Sequence, residues 1–340
     1  MPASLPCHTD PLAVNASGLS PKIEAMPKAE LHLHLEGSIR PAVAVALAAR
    51  HGVAITEEEV LQRYAYKDFK EFIETFKWVT AFLREPTDFA LVASDLAEQL
   101  LAQNVVYAEV TLSVGVMLLR KQNPQANFEA ILAAAEPFER KGLRLNWIFD
   151  AVRQFGADLA MEVVDWAKRC KSSRIVAFGI GGDELSVATK EFVRVYRRVS
   201  DCGLHRLIHA GEIGGPEKIR EAVELLGAER VGHGIASIHD HALMDLLAAR
   251  RIALEVCPGS NLRTGALARQ LRKEAPSIRE HPLPEILRHG VPVVLSTDDP
   301  TMFHTSLRGE YEYAREMGLT EGELEHLVAN GFAFSFGGDG

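Results

Sequence analysis

Short apolar runs recur along the chain, separated by stretches of helical period. In order the runs are Ala29–Leu35, Val105–Leu112, Leu143–Asp150, Ile175–Ile180, Leu204–His209, Glu229–His233, Ile252–Val256 and Val291–Ser296. Most are rich in β-branched or aromatic residues and most are followed by Gly, Pro or Asp, so each predicts a buried strand. The segments between them predict helices. Thr87–Gln103 places Phe89, Leu91, Val92, Leu96 and Leu100 close to helical spacing. Pro216–Leu226 opens with Pro at a first turn, where its missing N–H costs nothing. Asp240–Ala249 carries Leu243, Met244, Leu246 and Leu247 as its apolar side.

Eight strand–helix alternations predict an α/β chain folded as a (β/α)8 TIM barrel. An open doubly wound sheet is the other fold such alternation allows. That fold more often carries a glycine-rich phosphate turn after its first strand, and Leu35-Glu36-Gly37-Ser38 is not one. The longest insertion, 36–104, falls between the first two strands and is long enough for a helical lid over the barrel mouth. Residues 1–24 hold Pro, Ser, Asn and Thr without period, which predicts a flexible N-terminal arm and leaves 25–340 as a single domain.

Composition narrows the partners. The net charge is −9, and the Lys and Arg residues are scattered among acids, which argues against a nucleic-acid groove or a polybasic membrane face. A small-molecule substrate fits better, and nothing in the pattern sets an oligomeric state. No run approaches the roughly 18 apolar residues of a membrane span, and the start lacks a secretory pattern. Cys7, Cys170, Cys202 and Cys257 form no Cys-x-x-Cys pair, which predicts reduced thiols and a cytoplasmic location.

In a barrel enzyme the C-terminal strand ends form the active site. Here those ends carry His32 and His34 on the first strand, His209 on the fifth, His233 on the sixth, and Asp298 with Asp299 after the eighth. His32 and His34 are two apart on a strand, so both face one side. Each group has a bland reading alone: a satisfied core histidine, a helix entry at Glu212, a solvated turn at Asp298-Asp299. Together, three His and one Asp suit a borderline cation such as Zn²⁺ with an open position for water. Such an ion lowers the pKa of bound water to about 7. Glu212 and His233 remain to handle protons and Asp299 to hold a substrate, a set suited to hydrolytic attack on an electron-poor carbon.

Five motifs carry a resemblance. They are Pro27-Lys28-Ala29-Glu30-Leu31-His32-Leu33-His34-Leu35-Glu36-Gly37, His209-Ala210-Gly211-Glu212, Arg230-Val231-Gly232-His233-Gly234, Leu254-Glu255-Val256-Cys257-Pro258-Gly259-Ser260-Asn261 and Ser296-Thr297-Asp298-Asp299-Pro300. In this order the chain resembles the adenosine deaminase family of the amidohydrolase superfamily of metal-dependent hydrolases. The resemblance implies one zinc per chain on His32, His34, His209 and Asp298. It implies that Glu212 protonates purine N1 and that His233 orients the nucleophile and takes its proton. Asp299 would contact the attacking water, and Gly182 would hydrogen-bond the purine through its backbone. Phe69, Phe72 and Phe76 match a helix that caps the sugar side.

Glu36 stands where the best-known members carry Asp against the ribose 5′-hydroxyl, and so reaches one methylene further. The implied activity is deamination of adenosine or a 5′-modified adenosine to the 6-oxopurine. Adenine, 6-aminodeoxyfutalosine and N6-methyl-AMP are the rival substrates within the family. Arg153 and Arg263 are the candidate partners for a phosphate. A two-metal amidohydrolase would carry a Lys on the fourth strand, and Val176–Ile180 has none. A non-catalytic nucleoside-binding relative would lose the acid or a ligand, and all are present.

Overall fold

The computed structural model describes residues 18–66 and 69–337, excluding the side chains of Phe69 and Lys70. Eight parallel strands are hydrogen-bonded in chain order: β1 (Lys28–His34), β2 (Val105–Leu112), β3 (Arg144–Val152), β4 (Ile175–Gly181), β5 (His205–Ala210), β6 (Arg230–His233), β7 (Ala253–Val256) and β8 (Val293–Leu295). Each lies within two residues of its predicted ends. The sheet is a nearly closed (β/α)8 barrel. Its last link is made beyond β8, where His34 N–H donates to the Asp298 carbonyl at 2.8 Å and Asp298 N–H to the His32 carbonyl at 2.9 Å. Candidate site residues therefore close the barrel.

The strands are apolar on both sides because both faces are buried. Their outer faces, including Leu33, Val110, Trp147, Phe178, Ile208 and Leu254, join the main core under the helices. Small interior clusters fill the barrel itself: Ala29, Leu31, Tyr107, Ala253 and Val294 on one side, and Ile148, Ala177 and Leu207 on the other. The pairing of β1 with β2 slips between Glu30 and Leu33. This β-bulge turns both Leu31 and His32 inward, so one strand supplies a floor residue and then two mouth histidines.

The predicted helices form as Pro86–Ala102, Pro216–Leu225 and His241–Arg250. The insertion after β1 folds as α-helices. Counting a short helix before the barrel, these are α1 (Pro21–Ala25), α2 (Pro41–Arg50), α3 (Glu57–Tyr64), α4 (Phe69–Thr80) and α5 (Pro86–Ala102). α5 is the crossover to β2 and buries Phe89, Val92, Leu96 and Leu100. α3 starts on a capping box between Thr56 and Glu59.

Part of the stretch 1–24, expected as a flexible arm, is folded onto the barrel. Ser20 caps α1, Leu19 and Ile23 are buried in the main core, and Ser20 Oγ donates to Glu321 at 2.7 Å. Residues 1–17, with Cys7, lie outside the described residues. The other three cysteines are free thiols. Among the described residues no helix is long and apolar enough to cross a membrane.

Candidate active site

Strand order brings the predicted residues to one point. One ligand atom each from His32, His209, His233 and Asp298 lies within 4.8 Å of all the others. His34 stands beside them, with Nε2 at 3.3 Å from Asp298 Oδ1. From His32 the ring centroids of His34, His209 and His233 are 5.5, 4.6 and 5.1 Å away. The cluster thus holds one imidazole more than the ligand set the resemblance implies. Two of these groups sit on left-handed backbone, His233 at φ 60° and Asp298 at φ 65°. Such conformations cost about 1–3 kcal/mol each and aim side chains where regular strands cannot. Gly232 lets the His32 and His209 rings approach, because a Cβ there would lie 2.8 Å from His32 Cε1 and 3.3 Å from His209 Cγ.

Two imidazoles are oriented from behind. His209 Nδ1 donates to the Ile180 carbonyl at 3.1 Å, and His32 Nδ1 to Glu255 Oε2 at 2.7 Å. Both acceptors fix a hydrogen on Nδ1 and turn Nε2 to the cluster, the nitrogen a bound cation would take. His32 Nε2 is buried without a partner.

Beneath Glu255, Arg230 Nε donates to its other oxygen at 2.5 Å, while Nη2 donates to Glu109 at 2.5 Å and Nη1 to the Phe334 carbonyl at 2.7 Å. The Phe336 ring covers the guanidinium at 3.6 Å. A buried charged chain therefore runs from the barrel floor to His32. Sequence reasoning missed it, although an acid inside the apolar run Leu254-Glu255-Val256 was a signal, since a buried charge needs a partner.

Burial lowers the pKa of His34 to about 4 and that of His209 well below the usual range, so both present neutral nitrogens. Burial opposes the charged form of His32 too, but Asp298 and Glu255 outweigh it and carry the pKa up to about 10. The centre is built to hold positive charge. Asp298 itself is pushed up by burial, yet His32 and the other imidazoles hold it far below the carboxylate range, and Ser260 Oγ donates to its Oδ2 at 2.7 Å. These donors fit a divalent cation in type and in preset orientation.

Burial raises Glu212, opposed by His233 and assisted by Asp298. Its Oε1 accepts from Thr264 Oγ1 at 3.1 Å and its Oε2 lies 3.7 Å from His233 Nε2. Burial, reinforced by Asp298, raises Asp299 as well.

Buried atoms without partners include His32 Nε2, Glu36 Oε2, Thr111 Oγ1, Asp150 Oδ1 and Asp299 Oδ1, all on residues at or next to C-terminal strand ends. Thr111 and Asp150 were not singled out from sequence. Glu36 accepts from Ser113 N–H at 3.0 Å through Oε1, and burial pushes its pKa up to about 7. Gly182, at φ 89°, is exposed just beyond β4. Arg153 is buried, its guanidinium 5.6 Å from the Phe192 ring and donating to the Val187 and His209 carbonyls.

The Phe72 ring lies 5.4 Å from Tyr66, 5.9 Å from Phe76 and 5.0 Å from Phe303. Tyr66 Oη donates to the Met302 carbonyl at 2.7 Å, so the α4 region is fastened to the loop that follows Asp299. The side chain of Phe69 lies outside the described residues.

Comparison with known proteins identifies the family. The family model described as adenosine deaminase matches residues 27–339. An aminodeoxyfutalosine deaminase of Streptomyces coelicolor is 39% identical over 321 residues, covering 92% of this chain and 81% of its own. The crystal structure of an adenine deaminase from Arthrobacter aurescens superposes with a TM-score of 0.85 at 30% identity, covering 93% of this chain and 95% of its own. An amidohydrolase of Burkholderia ambifaria, solved with bound zinc, gives 0.84 at 26% identity over 93% of this chain and 87% of its own.

Proposed function

We propose a substrate class and a division of labour for this chain, which belongs to the adenosine deaminase family and is a hydrolytic deaminase of adenine-type substrates. The substrate is a 6-aminopurine nucleoside, with a 5′-modified adenosine such as aminodeoxyfutalosine as first candidate and adenosine next. The observation that carries this reading is Glu36. It is a buried carboxyl with one oxygen tied to Ser113 and the other unpartnered at the mouth. A sugar hydroxyl can satisfy that oxygen. Free adenine brings nothing to it, and a buried polar group left unpaired penalises binding.

His32, His34, His209 and Asp298 hold one zinc ion per chain. When bound, the ion supplies water activated for attack at neutral pH. Glu212 gives its proton to purine N1, a role supported by the burial that raises its carboxyl above the usual range. His233 and Asp299 face the attacking oxygen and orient it toward C6. The backbone of Gly182 meets the purine ring, and the α4 helix with Phe69, Phe72 and Phe76 covers the sugar side as a lid that excludes water. Of the two protons of the water consumed, one resets Glu212 and the other passes to the 6-amino group, which leaves as ammonia, and the 6-oxopurine remains.

The test is a substrate panel followed at the adenine-to-hypoxanthine absorbance change. Aminodeoxyfutalosine is expected to give the highest kcat/KM, adenosine a lower one, and adenine at least about 10²-fold less than the better nucleoside. Adenine turning over faster than both nucleosides would overturn the reading.

A further inference from the structure

His233 is reached by a hydrogen-bond chain that starts on the backbone, outside the cluster. Leu283 opens the helix Leu283–Arg288, and its N–H donates to His281 Nδ1 at 3.1 Å. A backbone N–H can only donate, so that nitrogen carries the lone pair. His281 is buried, and burial lowers its pKa to about 3, so the ring is neutral with its hydrogen on Nε2. Nε2 lies 3.2 Å from Asn261 Oδ1. The amide therefore turns its oxygen to His281 and its NH2 to His233, where Nδ2 and Nδ1 are 3.2 Å apart. Turning the amide over would set donor against donor at His281. Polarity thus passes from Leu283 through three side chains, and Nδ1 of His233 is an acceptor.

We infer that Asn261 and His281 are positioning residues that hold His233 with its hydrogen on Nε2, so that His233 serves as a hydrogen-bond donor and not as a metal ligand. The inference rests on the proposed function only for what that hydrogen meets. Nε2 points to the space between Glu212 Oε2, 3.7 Å away, and Asp298 Oδ2, 4.0 Å away.

Two consequences follow. First, His32 and His209 carry a hydrogen on Nδ1 and turn Nε2 to the cluster as the ligand position, whereas His233 carries its hydrogen on Nε2. The chain thereby selects His34 over His233 as the third nitrogen ligand. Second, a donor at Nε2 orients the attacking oxygen and stabilises the negative charge that grows there. That differs from the resemblance, in which this ring takes the proton.

Two-bond ¹H–¹⁵N correlation spectra of the full chain labelled with ¹⁵N-histidine test this directly, read on the zinc-loaded protein and after zinc removal. His233 signals are assigned by their loss in His233→Gln and His281 signals by their loss in His281→Gln. In the wild type, His233 is expected to show a bare Nδ1 and a protonated Nε2, and His281 a protonated Nε2. Asn261→Asp presents acceptor oxygens to both rings. There His233 should move its hydrogen to Nδ1, and kcat should fall by about 10²-fold with KM changed less than about threefold. Asn261→Leu, which offers neither group, should leave His233 in a mixture of tautomers. A protonated Nδ1 in the wild type, or an unchanged His233 tautomer in Asn261→Asp, would overturn the inference. The spectra need no substrate, so they stand or fall apart from the substrate panel.

Discussion

Replacing Gly37 by Ala measures how tightly the mouth is built. A Cβ at this position would lie 1.9 Å from Asp299 Oδ1 and 2.5 Å from its Cβ and Cγ. Non-bonded carbon contacts settle near 3.5–4.0 Å, so the Asp299 side chain must shift by roughly 1.5 Å. Its surroundings resist. Asp299 is buried, Thr301 N–H donates to the Gly37 carbonyl at 3.1 Å, and Asp298 next to it is stitched to β1. A misplacement of about 1 Å at a reacting centre can cost about 10²-fold, so kcat is expected to fall by about that factor or more. Folding should lose about 1–3 kcal/mol, the usual cost of overpacking. At roughly 2–4 °C per kcal/mol, that is a melting shift of several degrees. Gly322→Ala is the control. It lies near the start of the helix Glu321–Ala333 with nothing within 4 Å of a new Cβ, and should be neutral or slightly stabilising. The assays are saturating turnover, zinc content and thermal melting of both variants. A Gly37→Ala protein within about threefold of wild-type kcat would refute the claim that Asp299 is held in place for catalysis.

Glu212→Gln should keep its zinc and lose about 10³-fold or more in kcat; turnover near wild type would mean that the acid lies elsewhere. Arg230→Met strands Glu109 and Glu255 in the barrel floor, which should cost about 3–5 kcal/mol by denaturant unfolding and weaken zinc binding by about 10-fold in chelator competition. An unchanged midpoint would contradict the ionic chain. Chelation should lower the melting temperature and abolish turnover, and both should return with one zinc per chain. Burial raises Glu310 from 4.5 to about 8, so the folded state binds this proton more tightly than the unfolded chain does. Its contribution to stability is complete below pH 4.5 and is lost as pH rises toward 8. Glu310→Gln should flatten that part of a stability–pH curve, and an unaltered slope would count against the buried acid.

The strands were legible because a barrel strand is buried on both faces and reads as a short apolar run. The site was legible because polar residues stand at the ends of several such runs at once; each alone has an ordinary reading, and only their coincidence points to one centre. What could not be read depends on contacts remote in sequence. Arg230 meets Glu109 across 121 residues and Glu255 across 25. The bulge in β1 and the left-handed turns at His233 and Asp298 are local geometry that no periodicity encodes. α1 is too short to announce itself, and it forms because Ile23 packs on the core and Lys22 meets Glu325 at 2.5 Å. Asn261 sat inside a recognised motif without a role, and His281 outside every motif. Only the direction of hydrogen bonds from Leu283 gives them one.

Anomalous diffraction at the zinc edge, on crystals of the zinc-loaded protein, reaches the heart of this account. One peak is predicted, about 2.0–2.2 Å from nitrogens of His32, His34 and His209 and from an oxygen of Asp298, with His233 unbonded. No peak there, or a peak bonded to His233 in place of His34, would contradict it.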